Sequence, residues 1–323
     1  MILSTCALLG PLLPLAGALD VPRESPPAPA VSFEGLWETN YGRMRLQVDG
    51  DRVQGAYTSD PKGRVEGEIE DGTLRFRYTE TRGAGDGRFE LASDGASFEG
   101  SWRADGASDW TPWTGERVEA RPGVRWLVIL EARWESGLHE PEYTFGEMLR
   151  SYFTMAPDVV VRERKFHDEA DFRRFAREVA FIAEPVVVLV STHGTPAGIS
   201  VGGTSIGPDV IAESLHAAGN IELLHLAGCD MLRGDAAERI WGGIPVGARF
   251  PISGYKTTVD WASSALSDFT YLTFVLMRGY APEKAVRQTH AASPYTAEDD
   301  VEGCAFRPLG LALLRADGER AKE

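Results

Sequence analysis

Three stretches of this chain are apolar almost without a break: RWLVILEA at 125–132, VVVLVS at 186–191 and IELLHLAG at 221–228. A strand with one face in water alternates polar and apolar residues. A run with no alternation belongs to a strand covered on both faces. Between these runs the period lengthens. A helix is expected around 144–153, followed by a half-exposed strand, VVVRERKF, at 159–166. Asp168 then caps a helix with an apolar stripe of Phe172, Phe175, Val179 and Ile182. Gly207-Pro208 opens a further helix that stops at Gly219. FPISGY at 250–255 reads as another strand, and a long helix carrying Leu266, Phe269, Leu272 and Leu276 follows and ends at Gly279. Pro282 starts the last helix, through about Ala291. Strands alternating with helices define an α/β domain over 124–310, a mostly parallel sheet with helices on both faces. Residues 311–323 read as a polar tail.

Residues 33–119 follow another rule. MRLQV, RVQGAYT, GRVEGEIE, TLRFRYTE, GRFELAS and SFEGSW are short alternating runs, and Asp-Gly recurs at 49–50, 71–72, 86–87, 94–95 and 105–106. These are hairpin signals, and they predict a small all-β barrel or sandwich with Trp37, Trp102, Trp110 and Trp113 in its core. The opening Phe33-Glu34-Gly35-x-Trp37-x-Thr39-x-Tyr41-Gly42 resembles the first strand of lipocalin-like small barrels. That resemblance implies a small-ligand or glycan site on the β-domain; the alternative is a structural or targeting appendage.

The ends and the charge narrow the setting. An apolar run closing on Leu15-Ala16-Gly17-Ala18 reads as a signal peptide over 1–18 with Leu19 as the mature start, although no Lys or Arg precedes it. The chain is therefore expected to be exported, or cytoplasmic if the start is misassigned. Residues 19–32 form a Pro-rich linker. The net charge of −15 argues against a nucleic-acid partner. Cys6 would leave with the signal, so Cys229 and Cys304 remain. A bridge between them would silence thiol chemistry, but two cysteines do not make a disulfide scaffold. No P-loop, no G-x-G-x-x-G after a strand and no G-x-S-x-G elbow is present, and no cofactor is expected. His225-x-x-x-Cys229 sits on an extended strand with no further ligands, so no metal is expected either. Oligomeric state is left open.

Working residues of such sheets lie just beyond the carboxyl ends of the strands. VVVLVST runs into His193-Gly194 and IELLHLAG runs into Cys229. The spacing of 36 residues (229 − 193) fits one loop and one crossover helix. If the strands are adjacent and parallel, both side chains leave one edge of the sheet. An imidazole there can take the thiol proton and later protonate a leaving amine. Gly194 lets the backbone approach a substrate, and its N–H with that of Cys229 would form an oxyanion hole.

A buried strand ending in His-Gly, followed by a second ending in a small residue and Cys, is similar to the caspase-like cysteine peptidases. The stretch from Gly198 to Cys229 resembles the bacterial CHAT branch most: a hairpin, a helix, then the cysteine strand. The resemblance covers about 125–295. It implies an endopeptidase acting on protein or peptide substrates through a His193–Cys229 dyad. Where caspases carry Gln and metacaspases Asp, this chain has Ala227, so the acidic pocket residue of those families is not evident there. Ala227, Asp260 and Tyr255 are the expected pocket residues. Asp260 would suit a basic side chain, or it is simply the N-cap of the helix from Ser263. The alternative function is a non-catalytic caspase-like interaction module with a ligand-binding β-domain.

Overall fold

Hairpins build the first part of the chain, and paired positive backbone angles make one of them. The computed structural model describes residues 32–135, 137–297 and 307–320. Its first strands are β1 (Gly35–Thr39), β2 (Gly42–Asp49), β3 (Arg52–Tyr57), β4 (Arg64–Glu70) and β5 (Thr73–Thr79). After them come β6 (Ala84–Leu91), β7 (Ser97–Ala104), β8 (Thr111–Pro112) and β9 (Gly115–Arg117). Asp71 and Gly72 join β4 to β5 with φ of 49° and 80°, the combination that a two-residue turn matching the strand twist requires. Asp86-Gly87 is not a turn, contrary to expectation. It lies inside β6 opposite Phe76, whose ring fills the space where a Cβ would stand.

The strands run antiparallel in the order β6-β5-β4-β3-β2-β1-β9-β7-β8, and β6 also pairs with β7. The sheet therefore closes on itself as a barrel of eight strands, with β8 attached to β7. Trp37 and Trp113 are buried among Tyr57, Phe76, Phe89 and Phe98 in edge-on contacts. Trp102 is half-buried. Trp110, expected inside, is 41% exposed on the outer wall, where the guanidinium groups of Arg88 and Arg103 lie over its ring.

The second half comprises β10 (Arg125–Ala132), α1 (Phe145–Phe153), β11 (Val159–Phe166), α2 (Glu169–Glu178) and β12 (Val186–Ser191). A hairpin sheet follows: β13 (His193–Thr195), β14 (Gly198–Val201) and β15 (Thr204–Ile206). Then come α3 (Pro208–Leu215), β16 (Ile221–Ala227), α4 (Ala236–Gly243), β17 (Ile252–Tyr255), α5 (Trp261–Leu272), α6 (Pro282–Ala292) and β18 (Leu311–Leu314). The main sheet has the order β11-β10-β12-β16-β17-β18, parallel except for β18. Alternate residues of its strands feed two cores. Val128, Val188 and Leu224 face α2, α3 and α4, whereas Ile129, Leu189 and Leu223 face α1, α5 and α6. Both faces are thus covered, which is why the central strands carry no polar alternation.

Several expectations need correction. Residues 311–314, read as the start of a polar tail, are a fully buried strand: LALL pairs with β17 and completes the sheet. Leu266 is 51% exposed, because the inward face of α5 is Ser263, Ser267, Asp268 and Tyr271 instead. Helix α4 and strand β18 had no strong sequence signal. The expected signal peptide at 1–18, nearly all of the linker, Cys6 and Cys304 lie outside the described residues.

The described residues form one compact unit. Across it, Arg45 of β2 donates to the carbonyls of Ala180 and Ile182 at 2.8 and 2.6 Å. Arg43 reaches the Phe181 carbonyl at 2.9 Å, and Arg177 of α2 donates to those of Tyr57, Asp60 and Gly63. Burial lowers the Arg45 guanidinium to about 10. Leu36 and Ala56, which point out of the barrel, join the core that covers α2.

Candidate active site

One rung of the main sheet sets the site. Glu131 of β10, Ser191 of β12 and Ala227 of β16 stand side by side in register. His193 lies two residues past Ser191 and Cys229 two residues past Ala227, so the candidate pair is counted off the same rung. Both then emerge at the carboxyl edge of adjacent parallel strands, where the reading of the sequence put them.

The two loops touch through glycine. A Cβ on Gly194 would lie 2.4 Å from the Cys229 carbonyl oxygen and 2.9 Å from its nitrogen. A Cβ on Gly228 would lie 2.8 Å from the Thr192 carbonyl oxygen. Only backbone fits between them. Past the thiol, Asp230 holds φ of 58°, a left-handed conformation that Asp tolerates better than most residues. Its N–H donates to the Thr257 carbonyl at 3.0 Å, and its carboxylate accepts from the Thr258 hydroxyl at 3.0 Å. The cysteine loop is thereby sewn to the loop after β17. From the far side Arg320 donates to the carbonyls of Leu232 and Gly234.

Cys229 is a free, half-buried thiol. Its Sγ accepts from the Val259 N–H at 3.4 Å and lies 3.6 Å from the Val259 carbonyl oxygen. His193 is exposed, and its ring meets that of Trp134 edge to face at 4.8 Å. In this state the sulfur faces Val259 and the imidazole faces Trp134. Neither Val259 nor Trp134 was singled out from the sequence. Val259 acts through its backbone, which no residue pattern reveals. Trp134 had one usable signal, an aromatic residue just past the end of a buried strand.

The expected pocket residues separate. Tyr255 cannot line a pocket: it is fully buried, and its hydroxyl donates to Asp268 and to the Ser264 carbonyl. Burial and the neighbouring Asp268 push that phenol far above its ordinary range. Asp268 Oδ1 also pairs with His225 Nε2 at 2.7 Å, while His225 Nδ1 meets the Ser253 hydroxyl at 2.8 Å. His225 is thus a satisfied core histidine, tying β16 and β17 to α5. Asp260 is the N-cap of α5, accepting from the N–H groups of Ala262 and Ser263 and from the Ser263 hydroxyl. Ala227 is half-buried on the shared rung. The cavity that adjoins the cysteine loop, about 570 Å³, is lined instead by Asp230, Leu232, Arg233, Lys256, Thr257 and Arg320.

Inside the barrel the buried side chains, Trp37, Tyr57, Phe76, Phe89 and Trp113 among them, form one core. A groove of about 1000 Å³ lies on the outer wall, beside Gln54, Glu66, Arg75, Arg77, Trp110 and Val246.

No protein-family model matches the chain, and no curated protein does either. Among solved structures it is similar to caspase-1 from Spodoptera frugiperda, with 15% identity and a TM-score of 0.41 over 62% of this chain and 94% of that one. It is also similar to a structure described as pro-sf-caspase-1, with 16% identity and a TM-score of 0.39 over 60% of this chain and 92% of that one.

Proposed function

We propose that this chain is a caspase-like cysteine endopeptidase in which Cys229 is the nucleophile and His193 its base. The observation that carries the reading is the shared rung: both residues stand two positions past register partners, with Gly194 packed on the Cys229 backbone. In the reaction, His193 takes the Sγ proton and the thiolate adds to the scissile carbonyl carbon. The oxyanion accepts from the N–H groups of Gly194 and Cys229. Collapse breaks the C–N bond, and the imidazolium gives its proton to the departing amine. Water, deprotonated by the same imidazole, then releases the acyl group and restores the thiol. The chain is exported, with Leu19 as its first mature residue, and N-terminal sequencing of the secreted form tests that.

A second reading is a non-catalytic interaction module of the same fold, and one observation favours it: the sulfur's hydrogen bonds are with Val259 rather than with His193. The experiment that separates the two is peptide-library cleavage by the full chain and its Cys229→Ala and His193→Ala variants. On the peptidase reading each variant loses at least about 1000-fold, and the double variant loses no more than either single one. Cleavage that survives in Cys229→Ala overturns it.

A further inference from the structure

Trp134 holds a place that the proposed chemistry leaves unexplained. Its ring stands against that of His193, 4.8 Å between centroids and 79° between planes. The indole is itself held. Its Nε1–H donates to Glu131 Oε1 at 3.1 Å, and Glu131 is fully buried at the end of β10. The Glu131 carboxylate is fixed in turn by the start of α1. Oε1 accepts from the N–H of Phe145 at 2.8 Å and Oε2 from that of Gly146 at 3.1 Å. A helix N-terminus supplies unpaired N–H groups and a positive dipole end, so a carboxylate seated there is immobilised. Gly146 makes the seat possible, since a Cβ at that position would lie 3.0 Å from Glu131 Oε2. A fixed line therefore runs from the start of α1 through Glu131 and Trp134 to His193, beginning on the rung that positions the pair.

An exposed histidine on a short edge strand has free rotation about two bonds. A base must instead point one nitrogen at the thiol throughout the reaction, and misplacement by an ångström is costly in rate. An edge-to-face aromatic contact restricts both torsions without using either ring nitrogen.

We propose that Trp134 is the positioning residue for the His193 imidazole, with Glu131 as its anchor. The proposal rests on the dyad reading above. Three variants test it: Trp134→Ala, Trp134→Phe, and Trp134→Leu, which keeps bulk without a ring. In the full chain, Trp134→Ala and Trp134→Leu are expected to lower kcat on a peptide substrate at least about 10-fold with KM changed less than about threefold. Trp134→Phe, which keeps a ring but loses the hydrogen bond to Glu131, should lose less than Trp134→Leu does. A second readout needs no activity. The His193 ring protons, displaced in NMR spectra by the indole ring current, should return to ordinary exposed-histidine positions in Trp134→Ala and Trp134→Leu and stay displaced in Trp134→Phe. Unchanged kcat in both Trp134→Ala and Trp134→Leu overturns the proposal and leaves the dyad standing. If the unsubstituted chain cleaves nothing while the ring protons respond as described, the dyad reading falls and the positioning role falls with it. Ring protons that ignore all three substitutions overturn the contact itself.

Discussion

Gly194 lies against the backbone of Cys229 so closely that a single added carbon would sit 2.4 Å from the Cys229 carbonyl oxygen. The atoms it would meet are main chain and cannot swing aside. Gly194→Ala should therefore force the two loops apart, at a cost of about 1–3 kcal/mol in stability. On the peptidase reading, activity should fall further than stability does, because the proposed oxyanion donors would move with the loops. Thermal unfolding and cleavage assays on the same sample check both halves.

Asp260 is a helix cap. Asp260→Ala should cost about 1 kcal/mol, whereas Asp260→Asn should cost much less, since Asn caps comparably well. The Ser263 hydroxyl holds the Asp260 carboxyl below its ordinary range. Its stabilising effect is therefore complete above the unfolded value of 3.8 and fades as pH falls through the lower folded value. Stability measured from pH 2 to pH 6 should show that fade, and Asp260→Ala should remove it. Preference for basic over neutral side chains at the cleavage site should be the same in Asp260→Asn as in the unsubstituted chain.

Glu131 runs the other way. Burial raises its carboxyl above the ordinary value, against the pull of its three N–H donors. The folded state therefore holds this proton more tightly than the unfolded chain does. The stabilisation is complete below 4.5, the ordinary value, and declines as pH rises through the folded value. All three partners are donors, so Glu131→Gln turns an NH2 toward an N–H. It should destabilise the fold at neutral pH by about 1–3 kcal/mol, the cost of leaving such groups unmet. Denaturant unfolding across that pH window checks the sign.

Arg45 joins the barrel to the α/β half by two hydrogen bonds to carbonyls in a buried setting. Arg45→Ala takes its donor from the Ala180 carbonyl, while that of Ile182 keeps the Asn220 side chain, and should cost about 1–3 kcal/mol. With Arg43 and Arg177 making parallel links, cleavage of the chain within 119–123 should give two fragments that co-elute on gel filtration, and Arg45→Ala should weaken that association.

The main strands were legible because each is set by a single local quantity, the absence or presence of alternation. RWLVILEA, VVVRERKF and VVVLVS begin and end in the structure where the pattern puts them. The barrel's turns were mostly legible from Asp-Gly. Asp86-Gly87 misled because glycine has two uses, and here it makes room for the Phe76 ring. LALL at 311–314 was illegible for a related reason: four apolar residues before a polar stretch show no period, and only β17 reveals them as a strand. His193, Gly194 and Cys229 could be placed because a position beyond a strand end survives folding. Tyr255 could not, since its hydroxyl is governed by Asp268, thirteen residues away on another element. Trp110 was read as core because tryptophan usually is, and two arginines from neighbouring strands make its outward position tolerable.

The common rung of Ser191 and Ala227 has a bearing on how this chain can change in length. Cys229 and His193 are 36 residues apart (229 − 193), yet their common edge of the sheet depends only on the two-residue steps past the rung. The hairpin of β14 and β15 and the helix α3 lie between those steps. Insertions or deletions at the tip around Gly202 and Gly203, where added atoms meet little, should leave the pair where it is. One residue added between Ser191 and His193, or between Ala227 and Cys229, turns a side chain to the opposite side of its strand. Sequence drift is therefore cheap in the long connection and ruinous in the two short ones.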